Sequence, residues 1–515
     1  MPLRIDRRLT ALALVPRIER LFDLSAQKIL SLERTWNPAK GAPVVTVKGR
    51  YTSRAWTEWT QGFQVGSALL QFEATGEQRF LEIGRRQTLQ FMAPHLSHTG
   101  VHDHGFNNIS TYGNLWRLMG AGKIPFNEHE KDFYELALKV SGAVQAARWS
   151  KTADGGGYIY SFNGPHSLFV DAIRSLRSLA VAHQLGHVLC GERDQRISLL
   201  DRLLAHAETT ALYSIYYGKG RDAFDVRGRV AHESVFNSND GSYRCPNTQQ
   251  GYSPFSTWTR GLAWAILGYA EQLEFLRTVA CVELSRTDGV GVAQTSKSAV
   301  SRVSKPASQP AALPTWKSAI RQVWKPALRS GGGCAAPGSA RDAGTTVALF
   351  LEAARATADF YLANSCADGI PMWDTAAPQL HRLGAYLSKP ADPYNRWEPV
   401  DSSAAAIAAQ GLVRLGNYLS VGGDEKSGAR YRQAGLTVAK TLFDEPYLSA
   451  DAKHQGLLLH SVYHRPNRWD YVAPGQKVPN GEASMWGDYH ARELALLLLR
   501  EARCEAYPTF FDGRA

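Results

Sequence analysis

The sequence predicts an all-α fold, read as a single helical toroid. Three observations carry that reading. Long runs have apolar residues three and four apart, the stretches between them are polar and often long, and no βαβ alternation appears. The first 30 residues form a helix in which the apolar run "LTALALV" is short and is followed at once by Arg17, Glu19 and Arg20. That pattern argues against a signal peptide. Further helices are expected at "FQVGSALLQFEATGE", "HSLFVDAIRSLRSLAVAHQLGH", "STWTRGLAWAILGYAEQLEFL", "SSAAAIAAQGLVRLGNYL" and "MWGDYHARELALLLLREA". Gly76, Gly186 and Gly416 stand late in such runs, where left-handed caps would sit. Strand-like runs such as "VVTVKG" and "GGYIYSFN" are short. There is no clean internal repeat.

Composition narrows the function classes. The 515 residues are 44% hydrophobic and 20% charged, as in a soluble globular chain. No apolar run reaches the length of a membrane span. Six scattered cysteines, with no CxxC pair, argue against a zinc module or disulfide framework and suit a reducing cytosol. The expectation is therefore a cytoplasmic protein with no membrane contact, and the oligomeric state is left open. The 13 Trp, 21 Tyr and 19 Phe fit sugar-stacking clefts as well as an ordinary large core.

The formal charge of +11 at first suggests nucleic acid, but its location does not. Nine Lys and Arg against Asp288 give residues 286–341 a charge of +8, so the rest of the chain carries only +3. That segment is rich in Ser, Ala, Pro and Gly and reads as a largely disordered insert. The division expected is a helical extension over 1–40, one domain formed by 41–285 with 342–505, and the basic insert at 286–341.

Three stretches concentrate chemistry. "HLSHTGVHDHGFNNIS" (95–110) puts four histidines beside Asp103. It reads as a metal cage, a structural loop, or a buried carboxylate with His102 as its hydrogen-bond donor. A zinc site there would lack a helical HExxH frame. Asp171 lies at the start of an apolar stripe formed by Phe169, Ile173, Leu176 and Ala180. It is either paired with Arg174, three residues on, or turned into a pocket where desolvation would raise its proton affinity. In residues 232–264, Arg260 and Trp264 are four apart on one helical face, with His232 and Gln250 in the loop before them. That set is a carboxylate receptor or a capped helix with an exposed arginine.

Taken together, the blocks "WTQGF" (59–63), "HDHGF" (102–106), "SLFVDAIRSL" (167–176), "QGYSPFSTWTRGLAW" (250–264), "DSSAAAIAAQGL" (401–412) and "GEASMWGDYHARE" (481–493) resemble, in order, the unsaturated glucuronyl hydrolases of glycoside hydrolase family 88. The resemblance implies an (α/α)6 barrel that needs no metal or other cofactor. It implies action on the unsaturated uronic acid that polysaccharide lyases leave at a non-reducing end. It makes Asp171 the catalytic acid and base, with a raised pKa, and Asp103 the second essential carboxylate. His232, Gln250, Arg260 and Trp264 become pocket residues, with Trp59, Phe63 and His102 lining the same site. Phe162 stands where relatives have a stacking Trp, and His104 replaces an apolar residue usual in its motif. Two alternatives remain: a neighbouring activity on the same fold (unsaturated rhamnogalacturonyl or ordinary glycoside hydrolysis), and a non-catalytic carbohydrate-binding toroid.

Overall fold

Twelve helical segments account for the architecture of the computed structural model, which describes residues 2–54, 58–287, 343–505 and 509–511. Residues 288–341 of the basic insert lie outside that set. Six segments form an inner ring. They are Gln61–Thr75; His104–Asn108 continuing through Ile109–Gly113 to Asn114–Gly120; Ala172–Ser175 with Arg177–Gln184; Thr259–Thr287; Ser402–Val421; and Met485–Ala502. Outer helices Gln78–Phe91, Glu128–Ala147, Leu199–Tyr213, Ala343–Asn364 and Glu425–Leu442 each follow an inner one and pack on it. The sixth outer helix, Ala11–Thr35, packs on Met485–Ala502, so the first helix partners the last. This is the expected (α/α)6 barrel.

Local chemistry explains the helix boundaries. The side chains of Thr10, Asn127, Ser198, Asp401, Asp424 and Ser484 accept backbone N–H bonds at helix starts. Outer helices are amphipathic, whereas Ser402–Val421 and Met485–Ala502 are buried nearly throughout because other helices surround them. Gly76 and Gly186 adopt the expected positive φ. Gly416 does not. It lies inside Ser402–Val421, where a Cβ would come within 2.7 Å of the Arg432 nitrogen, so it is kept small by packing and not by a cap.

The same device closes the ring. A glycine sits at each of the six contacts between neighbouring inner helices: Gly62 against Asn107, Gly105 against Ser175, Gly268 against Arg174, Gly411 against Leu267, Gly487 against Ser403 and Gly66 against Tyr489. Along the axis, Arg174 pairs with Glu271 at 2.7 Å and with Glu493 at 2.9 Å. Below them Phe510, buried, lies under the guanidinium groups of Arg117 and Arg177, and Gln184 donates to the Phe511 carbonyl.

Small antiparallel sheets decorate the other end, where the inner helices begin. Strand Ser167–Phe169 pairs with Glu233–Phe236, in the register Phe169 to Glu233, and that strand pairs with Tyr243–Asn247. Residues 166–171, which open "HSLFVDAIRSLRSLAVAHQLGH", are thus strand and turn, not helix. No helix of the described residues is long and apolar enough to cross a membrane.

Candidate active site

Both candidate carboxylates stand at helix starts, and neither caps its helix. Asp103 precedes His104–Asn108, Asp171 precedes Ala172–Ser175, and neither side chain bonds to its own first turn. His102 lies between them, its Nε2 3.4 Å from an Asp171 oxygen and 3.9 Å from an Asp103 oxygen. Its hydrogen bond therefore goes to Asp171 and not, as its sequence neighbourhood suggested, to Asp103. The His102 carbonyl accepts from Gln145 and from the Ser175 hydroxyl, which in turn accepts from the Gly105 N–H. This lattice ties the two helix starts together. Arg174 does not pair with Asp171, because Glu271 and Glu493 hold it on the axis.

Strand pairing brings up His232. The Val170 N–H donates to the His232 carbonyl, which sets Asp171 beside that residue. His232 Nδ1 accepts from the backbone N–H of Gln249, so its proton is on Nε2, and that atom has no partner among the described residues. The second oxygen of Asp171, Oδ1, is likewise buried and unpartnered. A free donor and a free acceptor thus remain at one place, which is where a bound molecule would be recognised.

The electrostatics follow from these contacts. Burial pushes Asp103 up, Asp171 adds to this, and the balance against His102 leaves its carboxyl above the usual range. Burial also pushes Asp171 up, but the hydrogen bond and charge of His102, aided by His232, outweigh it and hold this carboxyl below its ordinary value. The raised pKa expected for Asp171 therefore belongs to Asp103. Burial disfavours the His102 imidazolium, yet the two carboxylates lift it above 6.5. Burial holds His232 at about 4, neutral across the physiological range.

His102, Asp103 and Asp171 bring one donor atom each within 4.8 Å of one another, a set that could hold a cation. The other nitrogen of His102 has no acceptor among the described residues, whereas a metal-bound imidazole ordinarily has one. His95 and His104 of the 95–110 cluster have structural partners instead. Asn107 donates to the His95 ring, and His104 bonds the His98 carbonyl and Ser141. His95 and His104 are held at about 4 by burial.

Aromatic rings wall the site. Phe162, 43% exposed, stacks over His102 at 6.2 Å, and Phe169 meets His102 and His232 edge-on or tilted at 5.6 and 4.5 Å. Trp59, half-buried, stacks on Trp486 at 5.1 Å. Phe63 and Trp264 lie one layer deeper, packed on Phe106 and His490 with almost no exposed surface. Both rings back the aromatic wall through these contacts.

Arg260 is buried between the rings of Trp258 and Trp486, at 4.5 and 4.7 Å. Its guanidinium donates to Asp401, to the Val462 and Tyr463 carbonyls and, at 2.6 Å, to the Gln250 side-chain oxygen. With Arg260 so engaged, Gln250 is the group it presents to the pocket.

No protein-family model matches the chain. The unsaturated glucuronyl hydrolase of Bacillus sp. (strain GL1) is 24% identical over 455 residues, covering 86% of this chain and 87% of that one. That of Formosa agariphila is 21% identical over 85% of this chain and 78% of its own. Over most of its length the chain is similar to unsaturated glucuronyl hydrolases. Among solved structures, the Bacillus sp. GL1 enzyme superposes with a TM-score of 0.61 at 20% identity, over 94% of this chain and 95% of that one. An unsaturated glucuronyl hydrolase specific for heparin gives 0.62 at 19%, over 96% and 100%. These two share the barrel.

The structure gathers Asp103, Asp171, His102, His232, Phe162, Gln250, Arg260 and Trp59 at one end of the ring. Sequence reasoning missed Phe169, Trp258, Trp486 and Asp401. Asp401 had a legible signal, an Asp immediately before "SSAAAIAAQGL", which is an N-cap pattern. Trp258 stands two residues before Arg260, but nothing in its spacing distinguishes it from core.

Proposed function

We propose that the chain removes the 4,5-unsaturated uronic acid from the non-reducing end of lyase-generated oligosaccharides, with Asp171 as acid and base and Asp103 as its partner. One observation carries the residue assignment. Asp171 keeps one buried oxygen free of any protein partner while His102 holds the other, beside a second carboxylate. A proton on Oδ1 is delivered to C4 of the C4=C5–O enol ether, and positive charge develops at C5, shared with the ring oxygen. Water adds at C5 and its proton returns to the same carboxylate. The resulting hemiketal opens, breaking the bond between C5 and the ring oxygen. C1, left as a hemiacetal, expels the remaining sugar as an alcohol. Hydration followed by collapse differs from direct displacement at C1.

The same group must hold a proton and then take one, which a depressed carboxyl does not favour. The substrate supplies the difference. Its uronate is a third anion entering beside two carboxylates, and like charge pushes Asp171 up. The same uronate is favoured by the inner-helix N-termini, whose partial positive charges face this end of the ring. Asp103 would accept hydrogen bonds from substrate hydroxyls, and Phe162 would pack on a sugar face.

The test is Asp171→Asn, assayed by loss of the ultraviolet absorbance of the C=C bond. Wild type should consume it and the variant should not, and a variant keeping most of its rate defeats the assignment. Unsaturated disaccharides run beside saturated nitrophenyl glycosides separate this reaction from ordinary glycosidase action. We place the activity in the cytoplasm, because the exposed thiols of Cys190, Cys245 and Cys504 suit a reducing compartment.

A further inference from the structure

The end of one outer helix reaches the active site from behind. Gln145, in the last turn of Glu128–Ala147, and Arg148, at its cap, meet residues 99–103, which no helix or strand holds. Gln145 donates to the His102 carbonyl at 2.9 Å, and Arg148 donates from Nη1 to the Thr99 carbonyl. The same guanidinium turns its other nitrogens to a second segment. Nε donates to the Tyr160 carbonyl at 3.1 Å and Nη2 to the Ser161 carbonyl at 2.7 Å, with the Tyr160 ring 4.3 Å away. Ser161 directly precedes Phe162, the ring that stacks over His102.

Arg148 is buried, and among the described residues no carboxylate lies within 4.0 Å of it. A buried cation without an ionic partner costs stability, so what it contributes is the fixed spacing of its three carbonyl partners. A planar guanidinium holds its donors in one geometry and cannot adjust as a flexible ammonium does. His102 is already fixed through its carbonyl by Gln145 and Ser175. The segment left to be placed is therefore the one that carries Phe162. On its other side Asn163 donates to buried Glu233 at 3.1 Å, but the further partners of Glu233 are Ser167 and Asn247, neither of them in 99–103. Arg148 alone grips both segments.

We propose that Arg148 is a positioning residue for the reaction, whose planar fork sets where the Phe162 ring stands over His102 and so fixes the face on which the sugar packs. It touches no substrate and acts through Phe162. The proposal rests on the hydrolase reading of the pocket.

The test is Arg148→Lys, which keeps the charge and loses the fork. On an unsaturated disaccharide it should raise KM about tenfold, as loss of the ring would, with kcat little changed. In a Phe162→Ala background the same change should raise KM no further, because groups that act as one unit are not additive. A general loosening of the fold would lower kcat in both backgrounds. A fall in kcat in place of the rise in KM, or KM effects that multiply in the double variant, overturns the proposal. The register is also measured without turnover. Crystal structures of wild type and Arg148→Lys should show the Phe162 and His102 ring centres, 6.2 Å apart here, displaced by about 1 Å in the variant, a shift of the size that matters to a bound substrate. An unchanged spacing overturns the proposal as well. Failure of wild type to consume the C=C bond would count against the hydrolase reading, and the ring spacing would still decide whether Arg148 sets the register.

Discussion

Gly105→Ala tests whether the two catalytic helix starts are held by direct backbone contact. A Cβ on residue 105 would lie 2.1 Å from the Ser175 carbonyl oxygen, whereas real Cβ contacts essentially never fall under 3.0 Å. The helix after Asp103 must therefore move from the helix after Asp171 by about 1 Å or more, and backbone cannot rotate away as a flexible side chain can. Overpacking of this kind costs about 1–3 kcal/mol, and for a chain this large that is a fall in Tm of several degrees. The functional effect should be larger. The displacement opens between His102, bonded to Ser175 through its carbonyl, and Asp171, and a misplacement of about 1 Å can cost on the order of 100-fold in rate. The assay is kcat/KM by ultraviolet loss of the C=C bond, beside a thermal melt. Gly76→Ala is the control: no atom lies within 4 Å of its Cβ, so only the strain of positive φ, about 1 kcal/mol, should appear, with full activity. A Gly105→Ala protein with wild-type Tm and kcat would refute the close-contact argument.

Three other outcomes follow from the site and its support. Asp103→Asn should abolish most activity yet raise Tm at pH 7. A carboxyl whose folded pKa is raised destabilises the fold above that pKa and does nothing below its unfolded value, so the gain should vanish as pH falls through the carboxylate range, a trend visible in melts from pH 7 to 3. Arg174→Met should cost about 3 kcal/mol in chemical denaturation, since it leaves buried Glu271 and Glu493 with only the longer contacts to Arg177, at 3.8 and 3.7 Å. A loss under 1 kcal/mol would show that the network tolerates the gap. Phe162→Ala should raise KM about tenfold with little change in kcat, because its exposed ring contributes stacking area and no proton chemistry.

The helices were legible because their apolar spacing and caps are local properties. "MWGDYHARELALLLLREA" coincides with Met485–Ala502 residue for residue. The break in "HSLFVDAIRSLRSLAVAHQLGH" was hidden. Leu168 and Phe169 suit a helix face as well as a strand, and only pairing with Glu233, far along the chain, decides between them. The candidate residues were found as types at motif positions, but their depth was not, because nothing in the sequence separates buried Phe63 and Trp264 from half-buried Trp59. The reversed pKa order of the two aspartates has the same origin. It depends on which carboxylate His102 reaches, a matter of about half an ångström.

The far end of the ring has its own bearing on catalysis. Ion pairs fill the bore and two phenylalanines close its floor, so the catalytic chamber is a blind well. A polymer cannot be threaded through it; only a terminus can be dipped in. Both products must back out through the entrance they share with the next substrate, which makes each turnover a separate visit that shortens the chain by one residue.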